Sequence, residues 1–205
     1  SEAAANDKGE FVLAKLNAIR YRLAINSLNE NLYVKSIAAP AAPTSKPPAA
    51  AKPATAASTS SNTNGVLLKQ GERLTGFTVT IAEGAASLGG ILTPEKSGGR
   101  MPSRVRVHLV PAETISADDV LRYAETLARN DGAFIFTNIA PGRYWLLPRA
   151  VPEDEPVDRP AAPATWDTIE RAKLRKQAEA LRVELELKAC QRLTDQTLKY
   201  LPAAK

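Results

Sequence analysis

The chain has one cysteine, one histidine and one methionine in 205 residues. The lone Cys190 excludes an internal disulfide framework. The lone His108 cannot supply the ligand set of a zinc peptidase site. No motif brings a nucleophile and a carboxylate onto it, as a catalytic triad requires. It sits mid-strand between Val107 and Leu109 and is expected as a surface residue. No Cys-x-x-Cys-His attaches a haem, and Ser97-Gly98-Gly99-Arg100 lacks the Lys-Ser/Thr ending of a phosphate loop. Aromatic residues make up only 5% of the chain, so the core must be largely aliphatic. No apolar run is long enough to cross a bilayer, and no stretch reads as a secretory signal. The net charge of +5 permits an acidic partner without demanding one.

What is present is organised around residues 130–146. Asp131-Gly132 and Pro141-Gly142 are turn pairs, because Gly accepts positive φ and Pro presets φ for the first turn position. Phe134, Phe136 and Ile139 lie between them; Tyr144 and Leu146 then alternate with Trp145 and Leu147. This predicts a β-hairpin of a small sandwich. The pattern occurs earlier too. Asp7, Gly9, Phe11, Leu13, Leu16, Arg20, Tyr21 and Leu23 align with Asp131, Gly132, Phe134, Phe136, Ile139, Arg143, Tyr144 and Leu146. In this alignment Lys8 is inserted between the Asp and the Gly of the first copy. An internal repeat is strong evidence of organisation.

The shared pattern, Asp-(x)-Gly-x-Phe-x-Phe-x-x-(Ile/Leu)-x-Pro-Gly-x-Tyr, resembles the carboxypeptidase regulatory-like, or transthyretin-like, β-sandwich domain. Leu88-Gly89-Gly90-Ile91-Leu92 is similar to that pattern's preceding Gly-containing strand. The resemblance covers residues 66–149 well and residues 6–37 in part. It implies a structural or binding module of the bacterial envelope and not a catalyst.

The expected fold class is all-β: Ig-like or transthyretin-like β-sandwich repeats with one short helix near the C-terminus. Residues 1–37 are read as the C-terminal part of a first repeat. An isolated hairpin there is marginal in water, so strands from elsewhere in a longer chain, or from a partner, are expected to complete it. Residues 38–64, nearly all Ala, Pro, Ser, Thr and Lys, read as a linker or loop insertion. Residues 65–86 supply closing strands of the first repeat, with Phe77, Val79 and Ile81 facing inward. Residues 87–188 form the second sandwich. Within it, strands are expected over 88–92, 104–110, about 121–127 and 183–187. A helix over 166–181 is capped by Thr165 and carries a stripe of Ile169, Ala172, Leu174, Ala178 and Leu181. Residues 189–205 form a tail with a helical turn.

The weak candidates for chemistry have plainer explanations. Glu153, Asp154, Glu155 and Asp158 read as a solvated acidic loop, since calcium loops use Gly where this run has Pro. Arg171, Lys173, Arg175, Lys176 and Arg182 read as a solvated helix face without the stacking aromatics of single-strand binders. The expectation is therefore a non-catalytic structural or accessory subunit of an extracytoplasmic bacterial assembly. The alternative is a carbohydrate- or peptide-binding module. No cofactor, metal, nucleic acid or membrane span is expected. Partners are other proteins or other copies, with any small ligand unidentified. The candidate interaction residues are Phe11, Tyr21, Trp166, Tyr200 and Cys190.

Overall fold

A computed structural model describes residues 2–21, 23–25, 27, 29–38, 66–96, 98–155 and 167–201. The chain is mostly β, with several small sheets and one C-terminal helix. The expected linker 38–64 and Trp166 lie almost wholly outside the described residues; only Ala38 is among them.

Four strands from the second half of the chain form one sheet. They are β6 (Val105–Pro111), β7 (Ala124–Leu127), β9 (Gly142–Ala150) and β10 (Glu184–Leu187), in the order β10-β9-β6-β7. All three pairings are antiparallel. A second sheet has the order β11-β5-β8, from β5 (Ala86–Pro94), β8 (Ala133–Ile139) and β11 (Arg192–Tyr200). Strands have period two, so Val105, Val107 and Leu109 of β6 face the same side as one another. They share one core cluster with Leu88 and Leu92 of β5, Phe134 and Phe136 of β8, Tyr144 and Leu146 of β9, and Leu198 of β11.

β8 and β9 are not the expected hairpin. β8 pairs with β5 and β9 with β6 and β10, so the chain changes sheets between them. The turn is made by Asn138, at φ 58°, and closed by the Tyr144 hydroxyl, which donates to the Ala140 carbonyl at 2.7 Å. A short polar side chain such as Asn tolerates that left-handed conformation.

The expected C-terminal tail is in fact the nine-residue β11, lying parallel to β5. Leu193 and Leu198 are five residues apart, which should place them on opposite faces. A register shift between Leu193 and Gln196, with Asp195 at φ 63°, restores both to the core side. Gly90 allows this approach: a Cβ there would stand 2.2 Å from the Gln196 carbonyl oxygen.

The helix α1 (Thr168–Leu181) covers the other face of the four-stranded sheet. Leu174 and Ala178 form a second cluster with Val110, Tyr123, Trp145 and Leu147. Its N-cap is Asp167, whose carboxylate accepts from the Ile169 and Glu170 N–H groups; the expected Thr165 lies outside the described residues. The buried stripe is Arg171, Leu174 and Ala178, while Ile169 is 66% exposed. The expected strand at 121 begins only at Ala124. Asp119 accepts from the Leu121 N–H and holds Val120–Arg122 in a 3₁₀ turn.

The first half is thinner. β1 (Arg20–Tyr21) pairs with β3 (Val66–Leu67), and β2 (Leu32–Ala38) pairs with β4 (Thr78–Glu83), each as a two-stranded antiparallel sheet. Ile81 is half-exposed, against its expected inward position. Residues 10–16 join no strand, so the expected first hairpin does not form among the described residues.

Candidate interaction site

The two copies nevertheless share a local structure at a constant spacing, Phe134 lying 123 residues after Phe11. In the second copy the Arg129 N–H donates to the Ala133 carbonyl and the Gly132 N–H to the Arg129 carbonyl. At the same spacing back, the Asn6 N–H donates to the Glu10 carbonyl and the Gly9 N–H to the Asn6 carbonyl. Gly9 and Gly132 have φ of 77° and 83°, and Lys15 and Asn138 have 57° and 58°. Tyr144 reaches back four residues to Ala140; Tyr21 accepts from the N–H of Asn17, also four residues back. The spacing holds without an insertion, so Lys8 takes the place of Asp131, contrary to the sequence alignment. Strand pairing follows as well: Tyr144 faces Leu185 and Arg143 faces Glu186, as Tyr21 faces Val66 and Arg20 faces Leu67.

The copies differ in their neighbours. β9 is flanked by β10 and β6, whereas among the described strands β1 pairs with β3 alone. β8 lies on β5, whereas residues 10–16 lie on no strand among those described. Phe11 and Tyr21 are accordingly half-buried, while Phe134 and Tyr144 are in the core.

Between the halves lies a cleft of about 550 Å³. Leu23, Ile25, Leu32, Val34, Ile37 and Ile81 line it from the first half, and Val120, Leu121, Tyr123 and Ile139 from the second. Its polar edge was not identified from the sequence. The Arg122 guanidinium donates to the Pro141 carbonyl at 2.6 Å and approaches the Tyr144 hydroxyl at 3.4 Å. Burial pushes the Tyr144 hydroxyl above the ordinary tyrosine range, although the Arg122 hydrogen bond pulls against it. Burial opposes the Arg122 charge, yet its contacts with Tyr144 and Asp119 leave its pKa raised. The Asn138 amide donates to the carbonyls of Asn29 at 2.8 Å and Leu32 at 2.7 Å, tying the halves together. An Asn between a β-patterned run and Pro-Gly was the available signal, since Asn favours left-handed corners.

The four candidate residues among those described, Phe11, Tyr21, Cys190 and Tyr200, are spread over different elements. Cys190 is exposed, at φ 59°, with its Sγ 3.6 Å from the Asn31 Oδ1. Tyr200 stands at the far end of β11, half-buried against the core cluster. Phe11 and Tyr21 belong to the first copy.

Other charged groups depart from expectation. His108 is buried, 3% exposed, with Nδ1 at 3.4 Å from the Glu125 carboxylate. It is not a surface histidine, because its face of the sheet is covered. Glu125 also meets Arg106, which binds Glu155 at 2.6 Å, so Glu155 is not part of a freely solvated loop. Arg171 is buried, and Arg175 lies 5.1 Å over the Trp145 ring and donates to the Ala112 carbonyl. These two are anchors and not a solvated helix face. Among the described residues no cluster of His, Cys, Asp or Glu could hold a metal ion, and no helix is long and apolar enough to cross a membrane.

No protein-family model matches the chain, and neither a curated protein nor a solved structure matches it.

Proposed function

We propose that the chain is a non-catalytic structural or accessory subunit of an extracytoplasmic bacterial assembly, acting through β-sheet contacts with other protein chains. The observation that carries this reading is the unequal pair of copies: the same turns, each with a tyrosine hydroxyl bonded to the backbone four residues back, Tyr144 donating and Tyr21 accepting, set once in a multi-stranded core and once in two-stranded sheets. Two-stranded sheets are marginal alone in water and gain most from an added neighbour. The finer fold reading, a transthyretin-like sandwich, is supported by one core cluster shared between the two larger sheets and by the tyrosine-closed crossing between them. The envelope location rests on the motif resemblance in residues 66–149.

The cleft favours a second reading, a peptide-binding module. Its lining is mainly aliphatic with a few polar groups, which suits an apolar peptide better than a sugar.

Native mass spectrometry of the protein from its source tests both. A complex that includes other chains is the expected result. A monomer with no associated chain would sink the subunit reading and leave the peptide module.

A further inference from the structure

We infer that the first copy is a strand acceptor: an extended segment of a partner polypeptide lies antiparallel along Tyr21, Leu23, Ala24, Ile25 and Ser27, as β6 lies along β9. This deepens the subunit reading and rests on it. The molecule itself shows what covers this edge, because the second copy is the completed version of the same unit. There β6 pairs with β9 from Val105↔Ala150 to Pro111↔Tyr144. The residues of the first copy at the same spacing are Tyr21 for Tyr144, Leu23 for Leu146, Ala24 for Leu147 and Ser27 for Ala150. No described strand takes the place of β6 beside them, and the strand there is two residues long against nine in β9.

The direction of the backbone groups agrees. The Ala112 N–H donates to the Arg143 carbonyl and the Val151 N–H to the Arg104 carbonyl, so odd-numbered residues of β9 address β6. The Leu146 N–H donates to the Val183 carbonyl, so even-numbered residues address β10. In the first copy the Leu68 N–H donates to the Ile19 carbonyl, and Ile19 is the counterpart of Gly142. The ladder to β3 therefore uses the same alternation as that to β10. Ala24, counterpart of Leu147, consequently presents its N–H to the open edge, and its side chain is exposed.

The partner's chemistry follows from β6. It is a strand of about seven residues with apolar side chains at alternate positions, as Val105, Val107 and Leu109 are in the core. Leu23 and Ile25 line the 550 Å³ cleft, which gives such side chains a place to go. Main-chain bonds supply the attachment and alternate side chains the selectivity.

The test uses the 205-residue protein and a synthetic peptide with the sequence of residues 103–112. Its readout is amide hydrogen exchange at Leu23, Ala24 and Ile25. The expected result is exchange at Ala24 slowed about tenfold or more by the peptide, and not by a scrambled peptide of the same composition. Ala24→Pro, which removes the edge N–H, should weaken binding of the fluorescently labelled peptide about tenfold or more, read by anisotropy, whereas Ala24→Val should keep it. Ala24 exchange already slow without peptide, no slowing on addition, or an equal effect of the scrambled peptide overturns the inference. A native complex that assembles unchanged with Ala24→Pro also overturns it while leaving the subunit reading intact. A chain that is monomeric in its source material overturns the subunit reading itself.

Discussion

The Tyr144 hydroxyl donates to the Ala140 carbonyl at 2.7 Å, across the corner where the chain leaves one sheet for the other. Both residues are buried, so the carbonyl has no solvent to replace that donor. Tyr144→Phe should cost about 1–3 kcal/mol, the penalty for stranding a buried polar group. The Tyr21 hydroxyl instead accepts from the N–H of Asn17, which is exposed, so Tyr21→Phe should cost less than about 1 kcal/mol. Urea unfolding of the two variants checks the ranking, and equal losses would contradict the assignment of the second copy as the cooperative core.

Gly90 controls the seating of β11. With a Cβ 2.2 Å from the Gln196 carbonyl and 2.7 Å from the Phe134 ring, Gly90→Ala must move backbone. A destabilisation of about 1–3 kcal/mol or more is expected from overpacking, with β11 amides losing protection first. Gly89→Ala meets nothing closer than 3.9 Å and should stay within about 0.5 kcal/mol of the parent.

Much of this second half could be read from residue order. Alternation in Val105–Val110 and in Glu184–Leu187 located β6 and β10 within a residue, because each keeps a strict period of two. Gly89-Gly90 signalled close packing, which the structure places against Gln196. β11 was illegible for a physical reason: the extra residue at its bulge puts Leu193 and Leu198 out of phase. The sheet change after Ile139 was also hidden, since a turn between two β-patterned runs looks alike in a hairpin and in a crossing. His108 shows a third limit. Its burial is created by a sheet face that α1 and the 151–155 segment cover, and nothing in neighbouring residues reports that. In the first copy the residue pattern of a strand is present at Phe11 and Leu13, but strands need partners, and a pattern cannot say whether one is there.

Arg175 fastens α1 to the sheet. Its guanidinium covers Trp145 and donates to the Ala112 carbonyl. Arg175→Ala should destabilise by about 2 kcal/mol through the charged hydrogen bonds and the ring contact. Arg175→Lys should recover only part, because an ammonium lacks the planar fork. Trp145 emission, followed in a Trp166→Phe background, should shift to the red in both variants; an unchanged emission would remove the anchor role.

Asp167 caps α1 with two hydrogen bonds, from the Ile169 and Glu170 N–H groups at 2.7 and 3.0 Å. These bonds, led by that from Glu170, hold its carboxyl below the ordinary range. A depressed carboxylate contributes stability that is present above its unfolded pKa and is lost as pH falls through the folded one. Asp167→Ala should therefore lower Tm at neutral pH and narrow its gap to the parent in acid. Asp167→Asn, itself a good cap, should lie between them at neutral pH and show the weaker acid dependence.

At the alkaline end Tyr123 and Tyr144 dominate. Burial pushes both hydroxyls above the usual tyrosine range, against the opposing pull of Arg175 on Tyr123 and Arg122 on Tyr144. A phenol with a raised folded pKa is held neutral by the fold. Its contribution is complete below the unfolded value, about 10, and is lost as pH climbs through the folded value. The urea midpoint should thus be flat from about pH 7 to 9 and fall beyond about pH 10. Phenolate absorbance should show Tyr123 and Tyr144 titrating late, in step with that fall. Tyr144→Phe should remove one late titration and soften the alkaline slope, because Phe cannot ionise in either state. A variant with the parent's slope would mean that ionisation of Tyr144 is not what opens the corner, and that the alkaline limit is set elsewhere in the core.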